Sequence, residues 1–303
     1  MKKKSISVVL MGGLGNQMFQ YAFAEALAYK RSTEIILDCR YLNSRCWRPN
    51  FTYRRFDLDV FDHSFKLVDK PNYLPGEFYF RMIKWRIYKQ ISVKFGFRKS
   101  NTVVEESFFY DNNLLDRTGK EYIGYFQSYR YFDLVKDKVK NAFIVKKSDL
   151  LLDSRYHIEI LNCNSVCLNV RRTDFVDSIL GVPDILFYKT AVKIIIQQIT
   201  NPHFFIFSDD IEWCSRNLGF IKNASIVSHN YAGRKFSNYF NLMCCCKHFI
   251  IPNSSFAWWA AYLSNADNKK VIVPRGWHKY LGINGDKDIV PDDWDKVECS
   301  WTV

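Results

Sequence analysis

The chain of 303 residues lacks several things, and each shortage narrows what it does. It has no stretch of about 18 uncharged apolar residues, which excludes an evident membrane-spanning helix. The opening Lys2-Lys3-Lys4, followed by Ile6 to Leu10, imitates a secretory leader. Its apolar run is too short, and Gly12-Gly13 and the polar Asn16, Gln17 and Gln20 interrupt it. A cytoplasmic chain is expected. No C-x-x-C pair occurs among the nine cysteines, an odd set that speaks for reduced thiols rather than a disulfide framework. Adjacent Cys244-Cys245-Cys246 do not converge easily on one ion, and no second ligand pair has zinc spacing, so no metal site is expected. There is no G-x-x-x-x-G-K-[ST], which argues against a P-loop kinase or ATPase. Gly13-Leu14-Gly15-Asn16-Gln17-Met18 misses the third glycine of a dinucleotide fingerprint, which argues against a dehydrogenase. Acidic residues are scarce at one end. Residues 1–100 hold 19 Lys and Arg against 8 Asp and Glu, nearly all of the net charge of +12. That excess calls for an anionic neighbour: a membrane surface, nucleic acid or an acidic substrate.

What is present is core material. At 48% hydrophobic and 17% aromatic, the chain has enough to build two domains of about 150 residues each. Ser5 to Leu10 reads as a buried strand, Gly12-Gly13-Leu14-Gly15 as a turn, Met18 to Lys30 as a helix, and Glu34 to Asp38 as the next strand. A strand, a glycine turn and a helix bring backbone close to a ligand at a helix N-terminus. Residues 40–150 show weak periodicity. Within them Phe80 to Lys99 carries seven basic residues and no acid. Two readings stay open for it: a helix lying on anionic lipid, or an ordinary helix with one buried face and solvated lysines.

From Ser165 the pattern sharpens. Strands at Val166–Val170, Phe204–Phe207, Ser225–Val227, Phe249–Ile251 and Val271–Val273 alternate with helices. The helices are Asp184–Ile199, Ile211–Leu218, Phe236–Cys246 and Ser254–Leu263. That alternation predicts a parallel, doubly wound sheet. The polar stretch Lys146 to Asn164 suggests a boundary, giving domains 1–155 and 156–303.

In such a sheet, ligands bind beyond the carboxyl ends of the strands. Three polar clusters fall there: Asn169-Val170-Arg171-Arg172-Thr173-Asp174, then Ser208-Asp209-Asp210, then Asn253-Ser254-Ser255 before a helix. Paired guanidiniums hold a diphosphate and neutralise its growing charge as it leaves. Serines opening a helix add free N–H groups. Asp209 and Asp210 suit ribose hydroxyls or guanine N–H groups, or simply cap the next helix. A diphosphate held without a metal motif points to a nucleotide-sugar leaving group.

These residues resemble a family. Gly12-Gly13-Leu14-Gly15-Asn16-Gln17-Met18-Phe19-Gln20-Tyr21-Ala22 resembles the opening motif of bacterial α-1,2-fucosyltransferases, glycosyltransferase family 11. Val170-Arg171-Arg172-Thr173-Asp174 is similar to the H-x-R-R-x-D motif shared with α-1,6- and protein O-fucosyltransferases. Phe207-Ser208-Asp209-Asp210, Cys246-Lys247-His248 and Asn253-Ser254-Ser255-Phe256-Ala257-Trp258-Trp259 are similar to later family-11 motifs.

The resemblance implies a GT-B-like α/β fold: two Rossmann-type domains with parallel sheets facing a cleft. The N-terminal domain is then acceptor-side and the C-terminal one binds GDP. The implied reaction is an inverting transfer of L-fucose from GDP-β-L-fucose to O2 of a terminal galactose. GDP-fucose is a co-substrate, and neither metal nor cofactor is required. Arg171 and Arg172 are the implied diphosphate contacts, with Asp174 either the base or a partner of the arginines and Asp177 behind it. The implied donor-binding set is Gly13, Gly15, Asn16, Gln17, Asn169, Ser208, Asp209, Asp210, Asn253, Ser254 and Ser255. Two positions depart from the pattern. Asn169 stands in place of the motif's histidine. Ser237-Asn238-Tyr239-Phe240-Asn241 lacks the aspartate that pairs with guanine in related enzymes, so guanine is left to an amide, the backbone or Asp209 and Asp210. The basic N-terminal third suits a peripheral enzyme acting on a lipid-linked oligosaccharide at the inner membrane face. The rivals are an α-1,6- or protein-directed fucosyltransferase and a basic nucleic-acid-binding protein. No RNA-binding motif supports the latter, and nucleic acid is not expected as a partner.

Overall fold

The computed structural model describes residues 5–43, 53–69, 101–173, 175–176, 180–277 and 279–302. The expected helix over Phe80 to Lys99, together with Asp174 and Asp177, lies outside the described residues. The chain divides into two compact units, Met1–Asp59 with His63–Ala142, and Val60–Asp62 with Phe143–Val303.

In the first unit, the apolar run SISVV forms β1 (Ser5–Val9). It feeds α1 (Leu14–Arg31) and then β2 (Glu34–Asp38). A short helix α2 (Arg40–Asn43), β3 (Leu67–Val68), β4 (Thr102–Val104), β5 (Glu121–Ile123) and α3 (Lys136–Ala142) complete it. The sheet order is β3-β2-β1-β5-β4, and every pairing is parallel. Helix α1 forms because alanines alternate with aromatics over Tyr21 to Ala28, giving high propensity with little side-chain crowding. It buries nearly its whole circumference. Phe23 stacks on Phe126 with centroids 3.9 Å apart, and Tyr131 meets it edge-on. The helix starts four residues before the expected Met18. Gly13 takes the N-cap position with extended backbone and no side-chain cap, so the glycine turn runs straight into the helix. Ser32, in the left-handed region, closes the other end.

The second unit contains α4 (Arg155–Asn162), β6 (Asn164–Val170), β7 (Val182–Pro183) and α5 (Ile185–Gln198). Next come β8 (Pro202–Ser208), α6 (Ile211–Asn217), β9 (Ala224–Ile226) and α7 (Ser237–Cys245). The remainder is β10 (His248–Ile250), α8 (Ser255–Leu263), β11 (Val271–Pro274), β12 (Asp295–Val297) and β13 (Trp301–Thr302). The order β12-β11-β10-β6-β8-β9 is parallel throughout. Its strands are covered on both faces, so β6 and β8 read as unbroken apolar runs rather than alternating ones. Val166, Leu168 and Val170 pack with Phe187, Val192 and Ile195 of α5 and Cys214 of α6. Helix α8 is apolar all round and buries Trp258 and Trp259 completely. The Trp258 indole N–H donates to the Ile289 carbonyl at 2.8 Å. Removing such a ring typically costs about 3–5 kcal/mol.

Two differences from the sequence reading are physical. The unit border falls after Ala142, upstream of the expected 155, and Val60–Asp62 joins the second unit. Phe61 packs against Phe143 and Phe240 and bridges to Val145, while Phe143 meets Trp259 edge-on. The polar stretch that suggested the boundary is therefore already anchored inside the second unit. The antiparallel pair β7–β13 was not expected, because two-residue strands carry no readable period.

Candidate functional site

The strand order of the second sheet reverses between β6 and β10, because β6 is followed outward by β8 and β9 before the chain returns to β10. That reversal opens a crevice beyond the carboxyl ends of the two strands. The sequence places Arg171 and Arg172 immediately after β6, and Asn253 and Ser254 just beyond β10.

The arginine turn is held by one carboxylate. Asp209, immediately after β8, accepts from the Arg172 backbone N–H at 2.9 Å and from the Thr173 hydroxyl at 2.5 Å. The same group pairs with Arg171 Nη1 at 3.0 Å. Asp210 accepts from the Trp213 backbone N–H at 2.9 Å, capping α6, and its second oxygen lies 3.4 Å from Arg172 Nε. The Trp213 indole in turn lies under the Arg172 guanidinium, 4.4 Å from ring centroid to Cζ. Phe175 stands in the same relation to Arg171 at 5.5 Å. Each guanidinium is thus oriented by a carboxylate on one side and a ring on the other. Arg172 keeps 21% of its side chain exposed, and its Nη1 and Nη2 have no protein partner among the described residues. Two such groups, already oriented, have the charge and planar forks that suit a diphosphate, with little reorganisation left to do.

The amides beside them are incompletely satisfied. Asn169 donates to the Phe207 carbonyl of β8 at 3.0 Å, and Asn253 donates to the Leu180 carbonyl at 3.1 Å. Their side-chain oxygens are buried without a hydrogen-bond partner, at residue exposures of 8% and 7%. A buried acceptor left unmade costs about 1–3 kcal/mol, so each oxygen favours a ligand that donates.

Other expected contacts prove to be braces. The Ser208 hydroxyl accepts from the Asp210 N–H at 2.9 Å, and the Ser208 carbonyl accepts from His229 Nε2 at 2.8 Å. Ser254 caps α8 by accepting from the Ala257 N–H, while Ser255, half-buried, begins the helix. Asn238, a possible amide for guanine, accepts from the Leu151 N–H and donates to the Tyr231 carbonyl, fully buried. The Cys246 thiol donates to the Leu242 carbonyl, and burial pushes its pKa well up, so this cysteine is a core residue.

In the first unit the glycine turn is built around Asn16. Gly12 has φ +76, and a Cβ there would lie 2.3 Å from Asn16 Nδ2, so the asparagine lies directly over the glycine. Asn16 Oδ1 accepts from Gln127 Nε2 at 2.8 Å. Gly13 leads into α1, and Gly15 is buried in the first helical turn. Gln17 corrects the sequence reading. Its side chain has no exposed surface, donates to the Gly12 and Arg55 carbonyls and accepts from the Asp57 N–H. It ties the 55–57 segment to the turn and presents nothing to a donor.

Trp213, Phe175, His229 and Gln127 were missed from the sequence. The only sequence signal was the tryptophan in the first turn of the helix after Asp209-Asp210.

Comparison with known proteins agrees with this geometry. A family model described as glycosyl transferase family 11 matches residues 5–294. An alpha-1,2-colitosyltransferase of Escherichia coli is 30% identical over 296 residues, covering 95% of this chain and 97% of that one. The O-antigen biosynthesis glycosyltransferase WbnK of Escherichia coli is 29% identical over 301 residues, covering 94% and 98%. Among solved structures, an Arabidopsis thaliana FUT1 mutant in complex with GDP superposes with a TM-score of 0.51 at 13% identity, covering 89% of this chain and 70% of that one. That last likeness is one of fold, the paired Rossmann-type units of the GT-B class. The family match spans both the glycine turn and the arginine cradle, and the chain belongs to glycosyltransferase family 11.

Proposed function

We propose that this glycosyltransferase transfers L-fucose from GDP-β-L-fucose, with inversion, to O2 of a terminal galactose. The observation that carries the reading is the pair of guanidiniums, preset by Asp209 and Asp210, at the reversal point of the second sheet. An inverting transfer needs the acceptor hydroxyl to attack the anomeric carbon opposite the departing GDP. Negative charge then grows on the diphosphate. Arg171 and Arg172 neutralise it where a metal ion would otherwise be needed, so the activity is expected to survive chelation. Asn169 and Asn253 accept hydrogen bonds from donor groups of the nucleotide sugar. In the other unit, Gly13, Gly15 and Asn16 form the turn that approaches the β-phosphate and fucose. Asp174 is either the base for the acceptor hydroxyl or a partner of the arginines.

One Escherichia coli relative supports a glycan acceptor, since it is named for O-antigen biosynthesis. The other is named for colitose, the 3-deoxy form of L-fucose, which favours GDP-colitose as the alternative donor. The basic excess of residues 1–100 suits an acceptor presented on a lipid diphosphate at an anionic surface. Among the described residues no helix is long and apolar enough to cross a membrane.

The test is a donor panel of GDP-fucose, GDP-colitose, GDP-mannose and UDP-sugars against free galactosides, with the product linkage read by NMR. An α-1,2-fucosyl galactoside is expected, with or without EDTA. Turnover only with a UDP-sugar, or a linkage elsewhere on galactose, overturns the proposal. Asp174→Asn separates its two roles: donor hydrolysis retained with transfer lost marks the base, and lost GDP binding marks the structural partner.

A further inference from the structure

Glu105 follows β4 directly and points its carboxylate back into the first unit. Its Oε2 accepts from the Tyr125 N–H at 2.7 Å and the Phe126 N–H at 3.0 Å, and Oε1 shares the latter at 3.1 Å. The turn it grips is unusual. Phe126 sits at φ 52, a left-handed conformation that a phenylalanine holds only when its surroundings enforce it. Gly124 has no room for a side chain: a Cβ there would lie 2.5 Å from Glu105 Cβ and 2.8 Å from Glu105 Oε2. The Gly124 carbonyl accepts from Gln20 of α1 at 3.1 Å, and Gln20 also accepts from the Met11 N–H at 2.9 Å. One residue past Phe126, Gln127 donates to Asn16. Hydrogen bonds at both ends, joined by the backbone of the 124–127 turn, therefore link Glu105 to the amide over Gly12.

We propose that Glu105 is a positioning residue for Asn16, fixing through this turn the amide that stands at the glycine bend before α1. The proposal rests on the reading above, in which Asn16 approaches the donor. Glu105 acts through its charge, since an anion accepts backbone N–H groups about twice as strongly as a neutral group does.

The titratable groups that feel its charge are Tyr125 and Tyr131 of the 122–132 segment, and Tyr125 in turn neighbours Tyr41 of α2. Burial raises both Tyr125 and Tyr131 from their ordinary range, so they stay neutral beside it. Glu106, Asp111 and Arg117 belong to its own loop, and Arg117 pairs with Glu106 and Asp111 rather than with Glu105. Among the described residues no cation pairs with the Glu105 carboxylate. Burial pushes it up to about 7, outweighing the two backbone N–H groups that lower it. The brace therefore weakens as pH falls through neutrality.

The test measures donor kcat/KM against pH for the full-length enzyme, with thermal midpoints alongside. In the wild type, kcat/KM is expected to fall as pH drops through about 7. Glu105→Gln keeps the shape but offers one acceptor oxygen and no charge. It is expected to lower kcat/KM roughly ten- to a hundred-fold at alkaline pH, the scale of an ångström-sized misplacement, and to lose that acid limb. Against Asn16→Ala the two losses are expected not to add, because both remove the same positioned amide. Gln127→Ala, half-buried and more tolerant of change, should reproduce the loss with an unchanged midpoint even if Glu105→Gln folds poorly. Wild-type kinetics in Gln127→Ala, an acid limb persisting in Glu105→Gln, or full additivity with Asn16→Ala overturns the proposal. If Asn16→Ala alone leaves donor kinetics unchanged, the donor-side reading of the glycine turn fails first, and this proposal with it.

Discussion

Replacing Arg172 by alanine is the sharpest perturbation of the cradle. The side chain lies on the Trp213 ring, leans on Asp210 and keeps its outer nitrogens unpartnered among the described residues. Removing it leaves Asp210 still capping α6 through its other oxygen, so no helix end is orphaned. The ion pair is long, at 3.4 Å, and partly exposed, so its loss costs at most about 1 kcal/mol. The backbone N–H that anchors Asp209 survives any side-chain change. The fold should therefore tolerate Arg172→Ala, with a drop in thermal midpoint of only a few degrees. Catalysis should not. One preorganised donor to a developing anion is worth about 3 kcal/mol, or roughly a hundred- to a thousand-fold in kcat. Arg172→Lys keeps the charge but loses the planar fork and its stacking on Trp213, and should recover only part of that loss. The assay is steady-state transfer from GDP-fucose, with GDP affinity by calorimetry and the midpoint by scanning fluorimetry. Arg171→Ala should behave in the same way. A folded Arg172→Ala with kcat within a few-fold of wild type would refute the leaving-group role.

Three further outcomes follow from the geometry. Asp209→Ala removes the acceptor of the Arg172 N–H, the Thr173 hydroxyl and Arg171 together. It should cost about 1–3 kcal/mol in denaturant unfolding and raise the donor KM, with unchanged KM counting against the cradle. Gly12→Ala places a methyl 2.3 Å from Asn16 Nδ2 at φ +76, and should lose about 1–2 kcal/mol of stability along with activity. Glu105 carries a linkage signature. Its folded pKa of about 7 lies above the ordinary 4.5, so the folded state binds more protons between those values and stability falls as pH rises through that window. Burial of this charge costs about 3 kcal/mol above neutrality, and Glu105→Gln should flatten the pH dependence of stability between about 4.5 and 7. The same slope in both proteins would exclude it.

Much of the second unit was legible because its strands are buried on both faces. Val166-Cys167-Leu168 and Phe204-Phe205-Ile206-Phe207 stand out as apolar runs between helical periods, and their polar ends mark the crevice. That logic singles out the arginines and both aspartates as candidates. What the sequence concealed was long-range. Gln127 meets Asn16 across 111 positions, Glu105 meets Phe126 across 21, and no local period records either. β4 and β5 are three residues each, too short to show alternation. The start of α1 was misplaced because Gly15 and Asn16 have the composition of a turn, whereas their backbone is already helical. Gln17 shows the converse limit. It belongs to a motif associated with donor binding, yet its amide is wholly committed to neighbouring backbone.

The return of β10 to the far side of β6 has a consequence for biosynthesis. While residues 209–247 are being translated, β6 has β8 available on one flank but nothing on the other. A row of apolar strand with unmade backbone bonds waits, open to wrong pairing, until residue 248 leaves the ribosome. Chains interrupted in that interval should be chaperone clients and, on the function proposed above, poor binders of GDP, since half of the crevice wall does not yet exist.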